Sequence, residues 1–167
     1  MRKTLTLVPI LCILLFLPSS SFLMKHSFRS ADWGMSITEV RESETLDFKE
    51  LGDGTLKILQ YKYPSPEFDD AWVYYLFPEQ QNHKLGGAGY IYYIQDQEAR
   101  AALVRKLSEK YAGIYGVGQY SNDANFQRYY WNLPDKRLII YNDFGAEAAA
   151  QFYYDYEFIE TINAGTQ

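Results

Sequence analysis

Phe152-Tyr153-Tyr154-Asp155-Tyr156-Glu157-Phe158-Ile159 is the stretch on which the fold turns. Large apolar side chains stand at 152, 154, 156 and 158, with acids at 155 and 157. Neighbouring side chains of an extended backbone project to opposite sides, so this alternation marks a strand with one shielded and one wet face. It predicts a strand over residues 152–159. Phe152, Tyr154, Tyr156 and Phe158 should turn toward the shielding layer, and Tyr153 away from it.

Upstream, residues 145–151 are alanine-rich and read as a spacer able to hold a helical turn. Residues 126–133 and 137–144 form a hairpin around Pro134-Asp135, where proline presets φ for the turn. Its parity sends Tyr129, Trp131 and Leu133 inward and Tyr130 outward. A long helix is expected from Asp96, a good N-cap. Ala99, Leu103, Leu107 and Tyr111 make its apolar stripe, with Val104 alongside and Gly113 placed to stop it. Residues 114–120 read as a strand weakened by Gly116 and Gly118.

The first half repeats the order. Ser36 and Glu39 form a capping box, and Met35 with Val40 has the spacing of a hydrophobic staple, so a helix is expected over residues 37–44. Residues 46–51 and 55–63 flank Gly52-Asp53-Gly54 as a hairpin. Residues 71–77, apolar on both parities, suit a central strand. A polar loop then leads to a strand over residues 90–94. The expected fold is therefore one α+β domain: an antiparallel sheet with two helices packed on one face, made of two successive helix-then-strands units.

The opening of the chain has another purpose. Met1-Arg2-Lys3-Thr4 is positively charged, residues 5–17 are apolar apart from Thr6 and Pro9, and Pro18 precedes Ser19-Ser20-Ser21. That order is a signal peptide cut after Ser21. Thirteen residues are short for a membrane span, which needs about 20, although Phe22-Leu23-Met24 could extend the run into an anchor. Cys12 sits in the middle of the apolar run, the wrong place for lipid attachment. The expected organisation is a signal peptide over 1–21, a flexible leader over 22–31, one domain over 32–162 and a tail over 163–167. The cut chain has no stable membrane span, and its location is periplasmic or secreted.

Cys12 is the only cysteine, so the mature chain contains none and its core must hold the fold unaided. Loss of Arg2 and Lys3 leaves 14 basic against 21 acidic residues, a net charge of −7. An acidic domain without a basic stripe is not built for nucleic acid.

Phe28-Arg29, Asp32-Trp33-Gly34-Met35-Ser36 and Glu39-Val40 together resemble the opening of a group of small exported bacterial domains of uncharacterised function. The resemblance implies a topology similar to β-lactamase-inhibitor-protein-like domains and to the small lipoprotein of outer-membrane assembly, which bind proteins and catalyse nothing. This chain lacks the lipobox of the latter and the disulfide cysteines of the former. The residues alone give the motif a structural sense. Gly34 can adopt the left-handed conformation that turns the chain into the helix, and Trp33 can fold back as a plug on the core or serve as a ligand platform.

No catalytic, cofactor or metal motif stands out. The two histidines, His26 and His83, lie in polar segments. Glu67, Asp69 and Asp70 cluster without calcium-loop spacing, and a hydrolase would need Asp70 and His83 in one cleft. The glycines at 113, 116 and 118 follow a helix rather than precede one, and Gly86-Gly87-Ala88-Gly89 leads into a strand, so neither cradles phosphate. What stands out is 16 tyrosines in an aromatic content of 17%. Parity places Tyr130 and Tyr153 on the outer face, with Trp72, Tyr74 and Tyr141 as companions. Amphipathic rings on a wet sheet suit protein binding. The expected function is an exported, non-enzymatic interaction module whose partner is another envelope or extracellular protein. The alternatives are a carbohydrate- or small-ligand-binding envelope domain and, third, the hydrolase.

Overall fold

Helix α1 (Ile37–Ser43) starts where the capping box lies: the Ser36 hydroxyl accepts from the Glu39 amide at 3.3 Å, and Glu39 Oε2 accepts from the Ser36 amide at 2.7 Å. Gly34 enters it at φ 83°, and Val40 is fully buried. The computed structural model containing it describes residues 27–45 and 47–164. The expected signal peptide, His26 and Leu46 lie outside the described residues. Two four-stranded antiparallel meanders follow, β1 (Phe48–Gly52), β2 (Leu56–Lys62), β3 (Ala71–Pro78) and β4 (Gly87–Tyr93), then β5 (Gln119–Asn122), β6 (Phe126–Asn132), β7 (Arg137–Asp143) and β8 (Ala148–Tyr154). Between them runs α2 (Gln97–Tyr115), and α3 (Tyr156–Ala164) follows β8. The strands form one antiparallel sheet in the order β1-β2-β3-β4-β8-β7-β6-β5, joined at β4–β8. The domain is α+β, mostly sheet.

Register defines the two faces. Phe48, Tyr61, Val73, Tyr90, Gln151, Ile140, Tyr129 and Tyr120 are successive cross-strand partners, a row spanning all eight strands. Directly paired residues share a face, and this face meets helices. Val40 of α1 is buried with Leu59, Tyr61, Val73, Tyr75 and Phe77. Leu103, Val104 and Tyr111 of α2 are buried with Trp131, Leu138, Ile140 and Ala149. Each large aliphatic or aromatic side chain among them contributes roughly 1.5–3 kcal/mol when fully buried. The next row, Lys49, Gln60, Tyr74, Gly89, Phe152, Ile139, Tyr130 and Gln119, points the other way. We call that side the open face.

Several expectations are corrected. Alanines 148–150 do not hold a helical turn; they begin β8, the strand joining the two meanders. Alanine favours helices, but Ala149 pairs with Tyr92 and Asn142, and Ala150 with Ile91 and Tyr141, so partners on both sides hold the segment extended. Residues 156–159 are helical, not extended. Asp155 ends the strand, its Oδ1 accepting the Phe158 amide at 2.6 Å and its carbonyl the Ile159 amide at 3.3 Å. Helix α2 runs past Gly113 to Gly116, whose φ of 83° stops it, so residues 114–115 are helical and β5 starts only at Gln119. Strand β4 begins at Gly87 rather than Tyr90. Ordered packing also begins inside the expected leader, with Phe28 and Ala31 buried in the core.

Candidate functional site on the open sheet face

Trp72 and Tyr74 alternate on β3 with Val73 and Tyr75, whose side chains are fully buried on the helix side, so the two rings face the opposite way. Cross-strand pairing carries this parity along: Trp72 opposes Ile91, Tyr74 opposes Gly89, Gly89 opposes Phe152, Phe152 opposes Ile139 and Ile139 opposes Tyr130. Tyr141 lies two residues from Ile139 and shares its face. The open face therefore brings together Trp72, Tyr74, Tyr130 and Tyr141, all half-buried. Tyr93, two residues beyond Ile91, joins them with 40% of its surface exposed.

Tyr153 does not belong with them. Its hydroxyl lies 3.0 Å from that of Tyr111 on α2, so it faces the helices. Phe152 and Tyr154, expected beneath the helices, are on the open face instead. The reversal has a specific cause. The acids that suggested the parity, Asp155 and Glu157, lie beyond β8, and within the strand Gln151 and Tyr153 are the residues that reach Tyr111.

The chemistry of the open face is aromatic at its centre and charged at its flanks. The rings of Tyr141, Phe152, Tyr154 and Phe158 stack successively at centroid distances of 6.4, 5.6 and 5.2 Å. The last ring comes from α3, which thus closes one end of the row. Tyr74 accepts from Gln60 Nε2 at 2.7 Å, and its hydroxyl lies 3.3 Å from that of Tyr93. Burial pushes the Tyr141 hydroxyl up to about 12, with Asp143 adding to it, and raises Tyr74 further, so both stay protonated donors. On one flank Lys62 stands 4.9 Å from the Trp72 ring and bonds Asp70 at 2.8 Å. The Lys62 ammonium and the Trp72 indole hold the Asp70 carboxylate below its usual range. On the other flank the guanidinium of Arg137 lies 5.8 Å over Tyr130, and that of Arg128 lies 5.5 Å over Phe126.

The hydrolase pair is taken apart by the fold. Asp70 immediately precedes β3, and His83 follows its far end, which separates them by about 25 Å at roughly 3.3 Å per strand residue. His83 Nδ1 is bonded to the Phe77 carbonyl at 3.2 Å. Among the described residues no three His, Cys, Asp or Glu side chains gather as a metal site, and no helix is long and apolar enough to cross a membrane. Trp33 packs partly buried against the core beside α1.

A second feature, a tyrosine-lined cleft on the helix side, has no local sequence signal, because its walls come from segments scattered from Ser27 to Tyr153. Comparison of the chain with protein-family models, curated proteins and solved structures finds no match.

Proposed function

We propose that this chain is an exported, non-enzymatic interaction module of the cell envelope, periplasmic or secreted, that holds another protein against the open face of its sheet. One observation carries the reading: a single register places Trp72, Tyr74, Tyr130 and Tyr141 on one side of a continuous eight-stranded sheet. Tryptophan, tyrosine and arginine are the residues in which binding energy concentrates, since they bury large areas for few rotatable bonds. Rings at the centre with Lys62, Arg128 and Arg137 at the flanks follow the usual plan of an apolar core inside a polar rim.

The order of elements supports a further part of the proposal. Each meander is preceded by a helix, which suits two successive helix-then-strands units with α1 and α2 shielding the same side. The Trp33-Gly34-Met35-Ser36 opening, with its resemblance to small exported domains, agrees with export.

The test is capture from envelope extract by immobilised protein. Trp72→Ala combined with Tyr74→Ala should weaken a captured partner at least tenfold, as should Tyr130→Ala. Lys106→Ala, on the exposed side of α2, should leave capture unchanged. Equal capture by all variants would refute the open face as the docking surface.

A further inference from the structure

A cleft of about 470 Å³ opens on the helix side, between residues 27–29 and the C-terminal half of α2. Sites for small molecules typically measure about 300–1,000 Å³. Six tyrosines line it: Tyr63, Tyr90, Tyr92, Tyr111, Tyr115 and Tyr153. Its charged lining residues are Arg29, Lys110 and Lys136, with no carboxylate among them, although the chain holds 21 acidic against 16 basic residues. Two of the cations have partners outside the lining. Arg29 pairs with Glu44 at 3.0 Å, and Lys136 lies 3.3 Å from Asp135. Lys110 has no carboxylate partner among the described residues; its Nζ stands 5.1 Å from the centre of the Tyr111 ring.

The hydrogen bonds of the floor point the same way. Gln151 Nε2 donates to the Tyr111 hydroxyl at 2.8 Å and to the Tyr153 hydroxyl at 3.1 Å. The two hydroxyls are joined at 3.0 Å. A hydroxyl carries one proton, so the pair holds two and uses one between them. The other has no acceptor among the described residues. Tyr90 accepts from Arg29 Nη1 at 3.4 Å, which leaves its own proton to give. Burial raises the hydroxyls of Tyr90, Tyr92 and Tyr153 above their ordinary value, and the hydrogen bond with Tyr111 raises Tyr153 further, so they remain donors. The lining offers protons and positive charge and asks for acceptors.

A neutral sugar answers poorly, because it brings no negative charge to meet Lys110. A carboxylate only accepts. A phosphate dianion brings two negative charges, and the carbonyl end of α2, which borders the cleft, disfavours each of them, so a singly charged group suits the site better. The tyrosine rings add flat apolar walls suited to a ring. We propose that this cleft binds a small carboxylate carried on a ring, a sugar acid or an aromatic acid, with its carboxylate held by Lys110 and the free proton of the Tyr111–Tyr153 pair. The site is independent of the open face.

Calorimetric titration of the purified full chain with glucuronate, 4-hydroxybenzoate, glucose and inorganic phosphate tests this. At least one ring acid should bind ten times or more tighter than glucose and phosphate, and whichever binds identifies the ring. Lys110→Gln, an exposed position, should weaken that acid about tenfold with the melting temperature unchanged, and Tyr111→Phe about fivefold. The proposal is overturned if neither acid binds, if glucose or phosphate binds as well as the acids, or if Lys110→Gln leaves their affinity intact.

Discussion

The ring of Phe152 on β8 lies across Gly89 on β4, so close that a methyl group built on the glycine would come 2.6 Å from the ring's Cγ. Gly87 stands in the same relation to Tyr154, at 2.9 Å. Glycine ordinarily weakens a strand. Here two glycines remove the side chains that would lift these rings off the sheet, and the stacked row on the open face depends on them.

Gly89→Ala should therefore lower stability by about 1–3 kcal/mol, because the added methyl would also approach the Gln151 carbonyl oxygen to 2.3 Å. Gly113→Ala should do the opposite. It lies inside α2 with nothing within 4 Å of the added methyl, and should gain about 1 kcal/mol. Urea midpoints of the two variants check both signs; a shift in the same direction for each would be inconsistent with the packing described.

Arg100 ties α2 to the sheet with only 4% of its surface exposed. Its Nη1 donates to the carbonyls of Ile94 and Gln95 at 2.5 and 2.9 Å, and its Nε to Asn142 Oδ1 on β7 at 3.2 Å. Arg100→Met keeps the apolar stem and strands three acceptors, a loss of about 3 kcal/mol. Chemical denaturation measures it, and a loss below about 1 kcal/mol would show that the anchor is dispensable.

Glu44 gives the fold an acid-sensitive point. Its side chain is 3% exposed. Burial works to raise its pKa, but hydrogen bonds from Arg29 and Tyr75 and the Arg29 charge prevail and hold it below the ordinary 4.5. A carboxylate depressed in the folded state contributes fully above its unfolded value and loses that contribution as pH falls through the folded one. Stability should thus hold down to about pH 4.5 and then fall, with Glu44→Gln showing a shallower acid loss. Glu39, Asp53, Asp70 and Asp123 are depressed too and add to the slope at the surface. An unchanged acid profile in Glu44→Gln would remove Glu44 from this role.

The proposed export carries a prediction of its own. Expressed with its leader in a bacterial host, the chain should be recovered from the periplasm or medium with Phe22 at its N-terminus, as intact mass would show. Retention of residues 1–21 in a membrane fraction would favour the anchor.

How far the sequence could be read depended on whether local signals decided the outcome. Ser36 and Glu39 gave α1, Asp96 the start of α2, and Pro134-Asp135 the β6–β7 turn, since caps and turns act over three or four residues. Ala148–Ala150 could not be read that way, because what extends them is their place between β4 and β7. Tyr153 departs from the apparent alternation because the acids that suggest it, Asp155 and Glu157, cap and enter α3. Trp72, Tyr74, Tyr130 and Tyr141 were legible as one side only through alternation, and the cleft, built by tertiary contact alone, was not legible at all.

Site-specific photo-cross-linking in cells, from positions 72, 130 and 153, asks whether the open face of the sheet docks a protein. Probes replacing Trp72 and Tyr130 should trap a common protein partner, and one replacing Tyr153 should not. Trapping from 153 alone, or none from 72 and 130, would contradict docking at that face.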